Sequence, residues 1–385
     1  MNVIHRSADN YSRLLKQIAD VLLSHKEGDD NLRAAVRELY SLCSSATGID
    51  ESSTRADDLN EIGLPSGKAL SPTDAARCVL DYNRTSKLLR GVHAAILEAQ
   101  RRFPHTTIEL LYAGCGPFAP LAIPLTTRFN PSEIQFTLLD IHKRSLDAAQ
   151  SVFQAFGATT FARDFTQCDA ASYQHDAPHV IHIVVAEAMQ AALEHEPQAA
   201  ITINLAPQLC AGGIFIPERI VVSCHLCDPA NEFSPLPVEA DAANSLSACR
   251  RDKFRIDLGS VLELTAAGSH NLLTHSGGGY RRASFSPKVV IEVPKDLDGE
   301  LNLMLSTTIN VFDTIALSEY ESGLTCPRIL SGLGKIRGGM RIEFAYHLGD
   351  KPGFKYSLYE GDKNVPASGR LKSKSRRQSR FEGTG

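Results

Sequence analysis

From Thr107 to Pro217 short apolar runs alternate with helical ones: IELLYAG, APLAIPLTTRF, FTLLD, KRSLDAAQSVFQAFG, ATTFARD, HVIHIVVAE, AAITINLAPQLC and GGIFIP. Strands rich in Ile, Leu and Val, separated by segments of helical length, mark βαβ units, because parallel neighbours need long crossovers that cover both faces of the sheet. The pattern predicts an α/β fold with a doubly wound, mostly parallel, Rossmann-like sheet over residues 106–217.

The flanking segments have different textures. Residues 1–105 read as a helical N-terminal region, with apolar periodicity in YSRLLKQIADVLLS and NLRAAVRELYSLCS around the polar turn HKEGDD. Residues 47–72 read as a Gly-, Ser- and Asp-rich connector. One helix is expected from Ser71, where SPTD supplies an N-cap and a proline, through Arg102, with a break near Gly91. Past Pro217, RIVVSCHL, FRIDLG, KVVIEV, LNLMLSTTINVF and RIEFAYHL are β-branched or alternating, which predicts a C-terminal antiparallel β-barrel over residues 218–365. Residues 366–385 read as a basic disordered tail.

At 385 residues, 43% hydrophobic and 22% charged, the chain has the composition of an ordinary globular protein. No stretch approaches the ~18 apolar residues of a membrane span, and MNVIHRSADN lacks the apolar core of a secretion signal, so a cytoplasmic location with no membrane partner is expected. Nine scattered cysteines suit free thiols better than a disulfide framework. Cys224 and Cys227 have C-x-x-C spacing but no second ligand pair, so no metal is expected. Net charge is −4, of which RLKSKSRRQSR in the tail contributes six positive charges, leaving the remainder at −10. An acidic body argues against nucleic-acid binding and leaves room for a cationic small-molecule substrate.

The first strand of the predicted sheet ends in LLYAGCGPFAP, where Gly114 and Gly116 allow a ligand to approach the backbone at the mouth of the sheet. The next strand ends in Asp140, an acidic residue placed to accept ribose hydroxyls, and Asp169 follows the third strand, where it can accept from an adenine amino group. HVIHIVVA then empties into EAMQAALEHE, Glu187 to Glu196. On a continuous helix a nine-residue offset is roughly 900°, so Glu187 and Glu196 would point to opposite faces and Glu187 would share a face with Glu194. If Glu187 and Glu196 act together, this segment must be a hairpin-like loop with Glu194 pointing away.

In their order along the chain these residues resemble the class I S-adenosylmethionine-dependent methyltransferases, and within them the protein arginine methyltransferase family. D-x-x-R-T is matched by Asp81, Arg84 and Thr85; the glycine turn and Asp140 follow. Next come E-x-M with a second glutamate nine residues on, matched by Glu187, Met189 and Glu196, and G-G-x-x-x-P in GGIFIP. The resemblance spans residues 75–360 and implies S-adenosyl-L-methionine as cofactor, with Arg84 on the methionine carboxylate, Asp140 on the ribose and Asp169 on the adenine. It implies that Glu187 and Glu196 clamp a guanidinium, that Met189 lines the methyl site, and that a homodimer is a possible assembly. Asp81 and His195 are candidate substrate contacts. Two carboxylates suit a guanidinium independently of family, since it is planar, always charged and offers five donors.

Departures from the family pattern point to a small acceptor. Tyr112 stands where an acidic residue is common and Ala75 where a histidine is. The family's T-H-W substrate loop is missing, and the chain has no tryptophan. Together with the long helical N-terminus these suggest free arginine or a related guanidine, with peptide arginine or a non-guanidine acceptor as alternatives. His93, His142, His179 and His182 are expected near the mouth with His195. The glycine-rich Gly277–Arg282 segment reads as a hairpin turn or a carboxylate site.

Overall fold

An apolar stripe every three to four residues folds the N-terminal region into α1 (Ala8–Leu23) and α2 (Asp29–Thr47), which contribute Leu15, Ile18, Leu22, Leu32, Val36 and Leu39 to one core. The computed structural model of the chain describes residues 8–24, 28–233, 255–272, 284–297, 301–330, 336–360 and 363–365. The basic tail and the Gly277–Arg282 segment lie outside the described residues.

The expected connector is built structure. It holds α3 (Ala56–Leu59) and a hairpin of β1 (Ile62–Leu64) and β2 (Gly67–Ala69), closed by the two-residue loop Pro65-Ser66. Asp58, fully buried, accepts from Arg144 Nε at 2.7 Å, while Arg144 also donates to the Thr47 carbonyl at 3.0 Å. These bonds tie the start and the middle of the segment to the sheet domain, so its Gly and Ser content does not leave it loose.

The expected long helix is two, α4 (Pro72–Arg77) and α5 (Tyr82–Arg102), joined by a short 3-10 turn. The break falls at Asp81 and not near Gly91, because the Asp81 carboxylate accepts from the Arg84 N–H at 3.1 Å and starts a new helix. Gly91 serves packing instead, since a Cβ there would lie 2.2 Å from Val311 Cγ1.

Five strands, β3 (Ile108–Ala113), β4 (Ile134–Asp140), β5 (Ala162–Gln167), β6 (Ile181–Ala186) and β7 (Leu209–Ile216), form an all-parallel sheet in the order β5-β4-β3-β6-β7. The three central strands are buried at every residue, as a sheet covered on both faces requires. Leu110, Tyr112, Leu138, Ile183 and Val185 pack with α5 and with α6 (Lys143–Ala155). Alternate residues Leu111, Ala113, Leu139, Val184 and Ala186 share a second cluster with Ile201 and Leu205 of α7 (Gln198–Leu205). APLAIPLTTRF, expected to be helical, makes only a 3-10 turn over Ile123–Thr127, because Pro120 and Pro124 remove donors from the run.

The C-terminal strands are β8 (Arg219–Cys227), β9 (Arg255–Thr265), β10 (Ser284–Phe285), β11 (Val289–Glu292), β12 (Asn302–Phe312), β13 (Ile315–Leu317), β14 (Arg328–Ile329), β15 (Met340–Leu348), β16 (Gly353–Glu360) and β17 (Lys363–Val365). They form two antiparallel sheets in a barrel-like body, β13-β12-β8-β9 with β14 beside β12, and β10-β15-β16-β17 with β11 beside β15. Cys224 and Cys227 are three residues apart on β8 and so face opposite sides of that strand, with Cys227 Sγ 3.7 Å from Met304 Sδ.

Candidate functional site

The strand order reverses between β3 and β6, so a crevice opens outside the carboxyl ends of these strands. Leaving β3, Gly114 and Gly116 have φ of +69° and +63°, the left-handed region that glycine enters without strain. Asp140 at the end of β4 holds this turn: its Oδ2 accepts from Gly116 N at 2.9 Å and its Oδ1 from His142 N at 2.8 Å. Burial pushes the Asp140 carboxyl up, against the pull of those two N–H groups. Asp169 beyond β5 accepts from Ala171 N at 2.9 Å. A cavity lies against all of them, and its walls include Arg84, Glu187 and Glu196.

Glu187 and Glu196 lie on a loop and not on a regular helix. Only Ala191–Leu193 makes a 3-10 turn, and Ala192, Leu193 and His195 have φ of 59°, 55° and 67°. Such values are uncommon for residues with a Cβ and persist only where surroundings impose them. Here the barrel does so. Ala192 N donates to Thr307 Oγ1 at 2.8 Å, the Tyr346 hydroxyl donates to the Leu193 carbonyl at 2.5 Å, and His195 N donates to the Pro352 carbonyl at 3.0 Å. Gln198 bridges the loop's ends, accepting from Ala188 N at 2.9 Å and donating to the Ala186 carbonyl at 3.0 Å.

The two glutamates are buried and electrostatically unequal. Arg84 reaches across from α5 and donates to Glu187 Oε2 from Nε at 2.9 Å and also from Nη2. Burial raises the Glu187 carboxyl despite that partner, and burial together with the nearby Glu187 pushes Glu196 up to about 7. Burial works against the Arg84 charge, but Cys78 and Glu187 beside it hold its pKa above the usual range. Oε1 of Glu187 and Oε1 of Glu196 are buried with no hydrogen-bond donor among the described residues. Two carboxylate oxygens with lone pairs to fill, in one cavity, suit a ligand that supplies N–H donors and positive charge.

Other expected site residues lie elsewhere. Met189 is buried in the core and does not line the cavity. Asp81 caps α5 and accepts from Ser322 Oγ at 2.7 Å and Gly323 N at 2.9 Å, which ties the helix to the barrel and leaves it off the cavity wall. His195 contributes its backbone to the loop, while its half-exposed ring lies 3.9 Å from Glu194 and outside the cavity lining. Glu194 does turn away from the cavity, yet it is buried, with Oε1 unpartnered among the described residues. Of the four other histidines only His142 lines the cavity. His93 packs on Phe129, and His179 and His182 sit at the opposite end of the sheet with Glu109, because they precede β6 or begin it.

The hairpin contributes residues that sequence reading assigned to a linker. Leu64, Lys68, Ala69 and Leu70 line the cavity, and so do Tyr112, Ala75 and Cys78. Lys68 N donates to the His195 carbonyl at 2.8 Å. At Gly67, with φ +142°, a Cβ would lie 2.7 Å from the same oxygen and 3.1 Å from the Glu196 carbonyl carbon. The available signal was IGL-PS-GKA, two short runs around a proline turn.

No family model matches the chain, and no curated protein matches it. Solved structures similar to it include the Trypanosoma brucei PRMT1 enzyme-prozyme heterotetrameric complex with AdoHcy, at 12% identity and a TM-score of 0.47, covering 75% of this chain and 95% of that one. Another is Arabidopsis thaliana protein arginine methyltransferase 10 in an open conformation, at 10% identity and a TM-score of 0.43, covering 72% and 92%. At such identities function has to be read from the cavity itself.

Proposed function

We propose that the chain is an S-adenosylmethionine-dependent N-methyltransferase acting on the guanidino group of free arginine or a related small molecule. The observation that carries this reading is the pair of buried, unpartnered Oε1 atoms of Glu187 and Glu196 in the cavity that the glycine turn and Asp140 border. The residues present suit the cofactor. Arg84 is a cavity-lining cation for the methionine carboxylate, Asp140 keeps a free lone pair on each oxygen for ribose hydroxyls, and Asp169 lies where an adenine amino group can donate. When bound, the cofactor supplies a sulfonium-activated methyl group.

The chain's own share of the chemistry is orientation and charge. Glu187 and Glu196 fix the guanidinium plane and draw its charge away from the attacking nitrogen, and positioning of this kind lowers a barrier by up to roughly 7 to 11 kcal/mol. Held this way, the attacking nitrogen would present its lone pair to the methyl group that the bound cofactor would supply, with Arg84 and Asp140 holding that cofactor in place. The guanidinium N–H proton would then pass to Glu196 Oε1, a buried carboxylate oxygen with no donor among the described residues. The test is incubation with methyl-labelled S-adenosylmethionine and a panel of free arginine, other guanidines, arginine-rich peptides, amines and alcohols. Label entering only amines or alcohols would overturn the guanidine assignment, and label entering none would overturn the enzyme assignment.

A further inference from the structure

The Lys, Arg, Asp and Glu residues that line the cavity, among the described residues, are Lys68, Arg84, Asp140, Asp169, Glu187 and Glu196. If the proposed reading holds, Asp140 and Asp169 face nucleoside, Arg84 faces the cofactor's carboxylate, and the two glutamates face a guanidinium. Lys68 is then a cation with no assigned counterpart. It belongs to the hairpin, whose backbone at Gly67 and Lys68 abuts His195 and Glu196, so it stands at the acceptor end of the cavity. Its charge is felt there, since it opposes the upward shift of Glu196. Lys68 Nζ donates to Glu61 Oε1 at 2.7 Å, but with side chains 35% and 46% exposed that pair is weak and can be exchanged for another carboxylate.

We infer that Lys68 determines acceptor specificity by binding an anionic group at the far end of the acceptor, the α-carboxylate of a free guanidino amino acid. This rests on the proposed function and deepens it. A free amino acid offers a cation for Glu187 and Glu196 and an anion for Lys68, whereas an arginine inside a peptide has its carboxyl tied up in an amide and must also thread its chain past the hairpin. A charge-assisted bond of this kind discriminates by about tenfold to a hundredfold.

The test compares free arginine with agmatine, which lacks the carboxylate, and with arginine amide. Binding is measured by calorimetry in the presence of S-adenosylhomocysteine, and turnover by label transfer. The wild-type chain should prefer arginine over both analogues by about tenfold or more. Lys68→Met should bring the arginine-to-agmatine ratio close to one, and Lys68→Arg, which keeps the charge, should preserve most of the preference. A wild-type protein that binds arginine and agmatine equally, or a Lys68→Met protein that keeps the ratio, overturns the role of Lys68 while leaving guanidine methylation standing. Equal loss of both ligands in Lys68→Met, with the same loss in Lys68→Arg, also overturns it, because the hairpin would then act only as a wall. If no guanidine binds or is methylated, the proposed function fails and this inference fails with it.

Discussion

Arg84 on α5 and Glu187 beyond β6 are joined by a forked contact inside the cavity, with Arg84 Nε 2.9 Å from Glu187 Oε2 and both side chains largely buried. The proposed carboxylate ligand and one arm of the proposed clamp are therefore each other's partner in the protein alone. Binding of cofactor carboxylate and acceptor guanidinium would exchange one ion pair for two. Arg84→Met should leave Glu187 as a buried uncompensated charge and cost about 3 to 5 kcal/mol of stability at pH 8. The cost should shrink toward pH 5 as Glu187 takes up a proton. Urea unfolding at the two pH values measures this, and a cost independent of pH would mean that Arg84 acts through packing.

Arg84→Lys keeps the charge and loses the fork. It should weaken S-adenosylhomocysteine more than adenosine in calorimetry. Equal weakening of both would make Arg84 structural.

Glu196 links pH to stability with a definite sign. Its folded pKa of about 7 exceeds the ordinary 4.5, so the folded chain holds the proton more tightly than the unfolded chain does. Its contribution is therefore complete below pH 4.5 and is lost as pH rises through 7, by up to about 3 kcal/mol. Glu196→Gln should flatten that part of the stability profile relative to wild type. A guanidinium favours the charged form, so arginine binding at pH 6 should release protons, which calorimetry in buffers of different ionisation enthalpy detects.

The three glutamates of the loop should separate cleanly. Glu187→Gln and Glu196→Gln should each lower turnover roughly a hundredfold or more with cofactor affinity nearly intact. Glu194→Gln should leave turnover close to wild type. Its buried carboxyl is already pushed up by desolvation, so the neutral amide should hold or raise thermal stability at neutral pH. Wild-type turnover in Glu196→Gln would leave the acceptor chemistry open.

Asp140→Ala removes the acceptor for both Gly116 N and His142 N as well as the proposed ribose contact. Cofactor affinity should fall by about tenfold to a hundredfold or more. Unchanged affinity by calorimetry would take Asp140 out of the site.

The sheet and its ligand mouth were legible because they rest on local chemistry. Continuous apolar runs and period-3.6 patterns in neighbouring residues dictate the strands and helices, and the chain order of those elements makes the sheet parallel. The glycines at 114 and 116 and the carboxylate at 140 follow directly from where strands end. The break at Asp81 was also local, but the helix-favouring residues on either side concealed it.

The residue pattern along the chain specifies the α/β alternation, the antiparallel second half, and which acidic residues could meet at the mouth. It stated the alternatives for Glu187 and Glu196 without choosing between them. Only the tertiary structure chose, because Ala192, Leu193 and His195 have no intrinsic preference for positive φ and are held there by Thr307, Tyr346 and Pro352, more than a hundred residues away. The hairpin wall has the same origin. A three-residue strand has little stability alone, and IGL and GKA become a lining for the cavity because the loop they lie against supplies the missing backbone partner at His195.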